Sequence, residues 1–132
     1  MIEYVIDRPA HLVRVRLCGS TTSSDLARHL ARVHSDPDYE PSFNILFHVE
    51  DDVDGPILAE LPSVGLQLEA VARLQNATKW AVVMRPGLQR TVVEFLLLGL
   101  KLAGVKMHFF DNDQDAVAWL DRDRSPSVPN NA

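Results

Sequence analysis

Hydrophobic positions recur along this chain in two patterns, continuous runs and helical stripes. In the last third of the chain, residues 80–84 are all apolar, as expected for a strand covered on both faces of a sheet. The apolar residues of 88–103 cover most of a helical wheel, and Gly104 is a natural residue to end that helix. A strand at 105–110 and a short helix at 114–121 follow. This part of the chain therefore predicts strand, helix, strand and helix.

The first half of the chain shows the same two patterns. Residues 2–7 and 12–18 are predicted to form the two strands of a hairpin. An amphipathic stripe over 26–33 predicts a helix, capped by one of the hydroxyl residues that precede it. The near-continuous apolar run 43–49 predicts a second central strand.

Two further helical segments are predicted in the middle of the chain, a short turn at 57–61 and a helix from 64 to about 75. The full order is then strand, strand, helix, strand, helix, strand, helix, strand, helix. This order predicts one α/β domain over residues 1–121, with a mixed five-stranded sheet and about four helices. Residues 122–132 have little to bury, and we expect a disordered tail there.

Composition and charge exclude several classes of protein. The formal net charge of −5 at pH 7 argues against a nucleic-acid or anionic-membrane binder. The single cysteine, Cys18, excludes an internal disulfide and a cysteine-rich metal site. No apolar run reaches the roughly 18 residues needed to cross a bilayer, and the first residues lack the features of a signal peptide. We therefore expect a cytoplasmic protein with no cofactor and no integral membrane association.

Three stretches carry a resemblance to a known family. They are the loop Asp36-Pro37-Asp38-Tyr39, the strand Trp80–Met84 with its apolar helix, and the closing Phe109-Phe110-Asp111…Ala116-Val117-Ala118-Trp119-Leu120. Together with the element order, they resemble the STAS domain, and more closely the small SpoIIAA-like proteins, often described as STAS/SEC14-like. The resemblance covers about residues 2–121. It implies a STAS-like fold and a partner-binding module.

The resemblance implies a regulatory switch, because STAS-domain antagonists are switched by phosphorylation of a Ser or Thr just after the third strand. Here that place holds Glu50-Asp51-Asp52-Val53-Asp54, and no hydroxyl residue follows until Ser63. The four carboxylates would repel a phosphate group. We therefore expect the chain to act without the phospho-switch.

Acidic residues follow two strands that we predict to be parallel. The carboxyl ends of parallel strands share one sheet edge, where α/β folds usually bind ligands. We expect solvated capping turns with no metal, because the glycine and the bidentate glutamate of a calcium loop are missing at the required offsets. The alternative is a cation site, whose candidate ligands are Asp51, Asp54, Asp111 and Asp113.

Two histidines and two arginines are predicted near the same edge. His48 and His108 lie late in two strands and, beside a carboxylate, could form an acid–base pair. Arg85 and Arg90 lie at the predicted N-terminus of helix 88–103, where an anion such as a carboxylate or phosphate could bind. The alternatives are structural histidines and arginines paired with the acidic loops. No serine or cysteine stands in a nucleophile-elbow context, so we predict no catalytic residue.

The predicted helix 88–103 has more apolar surface than it needs to pack against one face of a sheet. Leu97 and Leu98 flank a polar stripe that contains Glu94 and Lys101, and exposed leucine pairs rimmed by charge often mark partner surfaces. One explanation is a homodimer or another protein partner. A second is a cleft for a lipid-like molecule, as the SEC14-like part of the resemblance implies. A third is ordinary core covered by helix 114–121.

The leading hypothesis is a non-enzymatic STAS-like regulatory or interaction module that binds another protein or itself. The alternative is a carrier or sensor of a small apolar or lipid-like ligand. A third hypothesis is an enzyme that uses His48, His108 and the acidic edge.

Overall fold

The computed structural model describes residues 1–53, 60, 66–67, 70, 78–87, 90–91, 93–94, 98–102 and 104–122. In chain order, these residues form β1 (Ile2–Asp7), β2 (Leu12–Leu17), α1 (Ser23–His34), β3 (Asn44–Val49), β4 (Lys79–Val83), α2 (Leu98–Leu102), β5 (Lys106–Phe110) and α3 (Asp113–Asp121).

The five strands form one mixed sheet in the order β1-β2-β3-β4-β5. β1 and β2 pair as an antiparallel hairpin, and β2 to β5 are parallel. Every residue of β4 is buried, as its continuous apolar run predicts for a strand with neighbours on both sides. The mixed five-stranded α/β sheet with an N-terminal hairpin agrees with the sequence prediction.

The prediction of about four helices is wrong. The described residues form two longer helices, α1 with 12 residues and α3 with nine, and the five-residue helix α2. Most of the predicted segments 57–61 and 64–75, much of 88–103, and the tail 122–132 beyond its first residue lie outside the described residues. Because helices in proteins are stabilised mainly by packing an amphipathic face, periodicity alone was not enough to count them.

The two faces of the sheet carry different layers. On one face, Leu26 of α1 belongs to the larger core cluster, which includes Trp80 of β4. On the other face, Leu120 of α3 packs in a second cluster with Leu46 of β3. α3 contacts β3, β4 and β5, and Val5 of β1, which faces the same side, is 64% exposed. Among the elements that the structure describes, α3 therefore covers the β3–β5 part of this face, and Val5 at the β1 end is exposed.

Local signals fix where α1 and α3 begin. The Thr22 hydroxyl accepts a hydrogen bond from the Asp25 backbone N–H at 3.0 Å, and the Asp25 carboxylate accepts one from the Thr22 N–H at 2.9 Å. This reciprocal arrangement is a capping box. At α3, the Asn112 side chain accepts from the Asp115 N–H at 2.8 Å. Short polar side chains before each apolar stripe thus set the residue at which each helix begins.

Candidate functional site

The two arginines predicted to bind an anion are paired with acidic side chains of the protein itself. Nη2 of Arg85 lies 2.9 Å from Oδ2 of Asp51. Arg90 forms ion pairs with Glu94 and Asp111. Burial acts to lower the pKa of Arg90, but these two hydrogen-bonded carboxylates raise it above its ordinary value. Both arginines are therefore already engaged with carboxylates of the protein itself.

His48 belongs to a row of acidic and basic side chains at the carboxyl end of β2 and β3. Its Nδ1 lies 3.0 Å from Oε2 of Glu50, and its Nε2 lies 3.8 Å from Oδ1 of Asp113. Glu50 also accepts a hydrogen bond from Arg16 at 3.4 Å, and Arg16 pairs with Glu3 at 3.0 Å. The row alternates acidic and basic groups at the surface, where ion pairs contribute little to stability.

His108 does not join His48 in one site. His48 is opposite Val83 in the sheet, and Val83 is opposite Phe110, so His108 lies two residues earlier with β4 between the two histidines. The His108 ring instead contacts the indole of Trp119, with ring centres 4.8 Å apart. Burial lowers the pKa of His108, and nearby cationic side chains act in the same direction. The geometry of His108 is that of an aromatic packing contact.

The candidate metal ligands are divided among different partners. Asp51 pairs with Arg85, Asp111 pairs with Arg90, and Asp113 lies near His48. Asp54 lies outside the described residues. Within the part of the chain that the structure describes, no three or more His, Cys, Asp or Glu side chains are grouped so that they could hold a metal ion.

The predicted partner surface is exposed where it is described. Leu98 is 44% exposed and Leu102 is 80% exposed, one helical turn apart on α2. Glu94 and Lys101 are exposed as well, whereas Leu97 lies outside the described residues. Sequence analysis missed Leu102, although residues four apart lie on the same face of a helix and the spacing from Leu98 was a usable signal.

Three of the cavities are lined entirely by described residues outside α2. Cavities of about 410 and 240 Å³ adjoin along β2 beside α3, and Arg14 lines both. A third cavity of about 220 Å³ lies between β1 and α1. Sequence analysis missed all three, since each is formed by elements that are distant along the chain.

Comparisons of the chain with protein-family models, curated proteins and solved structures found no match. The STAS/SpoIIAA-like resemblance therefore stays a prediction that rests on the residues named above. Among the described residues, no helix is both long enough and apolar enough to cross a membrane.

Proposed function

We propose that this chain is a non-enzymatic interaction module that acts by self-association. The contact surface is the α2 stripe, which we define as Leu98, Lys101 and Leu102 of α2 together with Glu94, which precedes α2 in the chain. The observation that carries the proposal is the exposure of Leu98 and Leu102 on one face of α2. Exposed apolar side chains that adjoin one another and are rimmed by charge mark interaction sites.

The charges of the α2 stripe favour a second copy of the chain as the partner. Glu94 and Lys101 lie symmetrically about the midpoint between residues 97 and 98. If two copies pack antiparallel about a twofold axis at this point, each Glu94 faces the partner subunit's Lys101. Leu98 then lies between the two ion pairs, and Leu102 lies one residue beyond Lys101 at the rim of the contact. Twofold dimers of this self-complementary kind are the commonest oligomers.

The resemblance to STAS/SpoIIAA-like proteins supports the same class of function, because it implies binding rather than catalysis. The place of the family's phosphorylated residue is acidic here, and its side chains are engaged: Glu50 with Arg16 and His48, and Asp51 with Arg85. We propose that the module works without a phospho-switch. A cytoplasmic location is part of the proposal and agrees with the one cysteine, Cys18, which is a free buried thiol.

The other two hypotheses have less support. A ligand carrier was expected to hold its ligand beside helix 88–103, much of which lies outside the described residues, and the three cavities named above lie beside α1 and α3. An enzyme was expected to bring His48 and His108 together, and the sheet register separates them.

Charge reversal tests the proposed dimer. Sedimentation velocity would compare the wild type with Glu94→Lys, Lys101→Glu and the double variant. We expect the wild type to be a dimer, because its stripe is self-complementary. Each single variant places like charges opposite one another, so its dimer should dissociate more readily. The double variant places opposite charges together again and should recover the wild-type dimer fraction. Lys106→Glu on β5 is the matched control for Lys101→Glu, since it makes the same charge change at an exposed lysine outside the stripe.

Two results would overturn this proposal. One is a wild type that stays monomeric at every concentration at which it is soluble. The other is a double variant that associates no better than the single variants. Native mass spectrometry of the same samples distinguishes the alternatives, since a monomer that carries a releasable small molecule would favour the ligand carrier.

A further inference from the structure

The cavity between β1 and α1 has the features of a small binding site. Its volume is about 220 Å³, and Tyr4, Asp25, Arg28, His29 and Arg32 line it together with the first two residues. β1 and β5 are opposite edges of the sheet, and α2 packs near β5. The cavity is therefore independent of the α2 stripe.

The side chains around this cavity leave one positive charge without an ion-pair partner. Arg28 is paired with Asp25. Arg32 makes no hydrogen bond or ion pair with the described residues, and its guanidinium carbon lies 5.9 Å from the centre of the Tyr4 ring. The Tyr4 hydroxyl donates to Asp36 at 2.9 Å. The cavity therefore presents a free guanidinium on an aromatic platform.

His29 adds a buried polar ring to the same cavity. It is 6% exposed, and its Nδ1 is buried without a hydrogen-bond partner in the described part of the chain. The ring meets Tyr4 edge-on, with centres 5.6 Å apart. A buried N–H without a partner is rarer than a buried acceptor without one, so we place the proton of the neutral ring on Nε2. His29 can then offer Nε2–H as a hydrogen-bond donor.

We propose that this cavity binds a small carboxylate, held by the guanidinium of Arg32 and the Nε2–H of His29. The planar guanidinium matches a carboxylate through two parallel hydrogen bonds. The single negative charge of a carboxylate matches the guanidinium of Arg32. The amino group of Met1, which also lines the cavity, already donates to the carbonyls of Cys18 and Ser20 and to the hydroxyl of Thr21. A second negative charge, as on phosphate, would be repelled by the Asp25 carboxylate, whose pKa is lowered chiefly by its hydrogen bond from the Thr22 backbone.

Binding at this site is linked to protonation of His29. In the free protein, burial lowers the pKa of His29 to about 4, and Arg32 and His34 act in the same direction. A bound carboxylate favours the charged ring and raises this pKa, so ligand binding takes up a proton. The charged and titratable groups around the ring are Tyr4, Asp25, Arg28, Arg32, His34, Asp36 and the amino group of Met1.

The experiment is an NMR titration of the full chain with sodium acetate, with ionic strength held constant by sodium chloride. The observed signals are the ring protons of His29 and the Nε–H of Arg32. We expect saturable shifts at both residues and a rise in the pKa of His29 at saturating acetate. Arg32→Gln should weaken binding at least tenfold. Arg32→Lys, which keeps the charge and loses the planar fork, should bind more weakly than the wild type.

Arg8→Gln is the matched control, because Arg8 is an exposed arginine already paired with Asp38 and Glu40. It should bind acetate as the wild type does. Shifts that grow linearly without saturation, or equal binding by Arg32→Gln, would overturn the site. Tighter binding of phosphate than of acetate would overturn its assignment to carboxylates. The Glu94→Lys variant should keep acetate binding, which separates this inference from the proposed dimer.

Discussion

Lys79 makes two different contacts with Trp119. Nζ of Lys79 donates a hydrogen bond to the backbone carbonyl of Trp119 at 2.8 Å and lies 4.8 Å from the centre of its indole ring. Lys79 begins β4 and is only 6% exposed. Asn44 assists by accepting from the Lys79 N–H at 2.8 Å and donating to the carbonyl of Leu120 at 3.4 Å. Because the last carbonyls of a helix lack partners within it, these donors fix the end of α3 on the sheet.

Replacing Lys79 with methionine should therefore destabilise the protein. Lys79→Met keeps the apolar stem but removes one donor to the Trp119 carbonyl and the contact of the ammonium with the indole. We expect the free energy of unfolding to fall by about 1–3 kcal/mol. Urea unfolding followed by tryptophan fluorescence measures the change.

Lys106→Met is the control for this prediction. Lys106 lies opposite Lys79 in the sheet but is exposed, so its replacement should change stability by no more than about 0.5 kcal/mol. A Lys79→Met protein as stable as the wild type would show that these contacts do not anchor α3.

The strands and helix starts were predictable because their signals are local. The continuous apolar run at 80–84 and the near-continuous run at 43–49 indicate strands covered on both faces, and both lie in the interior of the sheet. Asn112 precedes the apolar positions of α3 as a cap. Each of these signals lies within a few residues of the structure it specifies.

The environment of single side chains was not predictable, because it depends on distant segments. Lys79 is a charged residue at the start of a strand, and its ammonium contacts Trp119 of α3, 40 residues later in the chain. His48 and His108 both lie late in strands, but the two-residue offset between them is set by pairing through β4. Similarly, the cavity at His29 exists only because α1 packs on β1. Periodicity indicates which face is buried and leaves the register between elements open.

Stability should depend on pH through His29. Its pKa is about 4 in the folded protein, against an ordinary value of 6.5. Above pH 6.5, neither state binds the proton. As the pH falls from 6.5 to 4, the unfolded chain takes up the proton while the folded protein does not, so the folded state loses stability. The loss is at most about 3 kcal/mol and levels off below pH 4.

His29→Gln should remove this part of the pH dependence. The measurement is the free energy of unfolding in urea at intervals between pH 7 and pH 4. Lys106→Met is the control, since it changes an exposed side chain on β5, far from His29, and its slope should match the wild type. A His29→Gln protein that loses stability with falling pH as steeply as the wild type would contradict the prediction.

The leucines of the α2 stripe should control assembly without controlling folding. Leu98→Asp and Leu102→Asp each place a carboxylate where the proposed dimer buries an apolar side chain, so we expect both to lower the dimer fraction in sedimentation velocity. The two leucines are exposed in the single chain, so the free energy of unfolding measured below the dimer's dissociation concentration should change by less than about 1 kcal/mol.

Val5→Asp is the matched control for the leucine variants. Val5 is 64% exposed, within the range set by the two leucines, but it lies on β1 at the opposite edge of the sheet from β5. A general effect of adding a carboxylate to an exposed apolar position would lower assembly in all three variants. If only the leucine variants dissociate, the dimer interface includes α2. Folded leucine variants that keep the wild-type dimer mass would place the dimer interface elsewhere on the molecule.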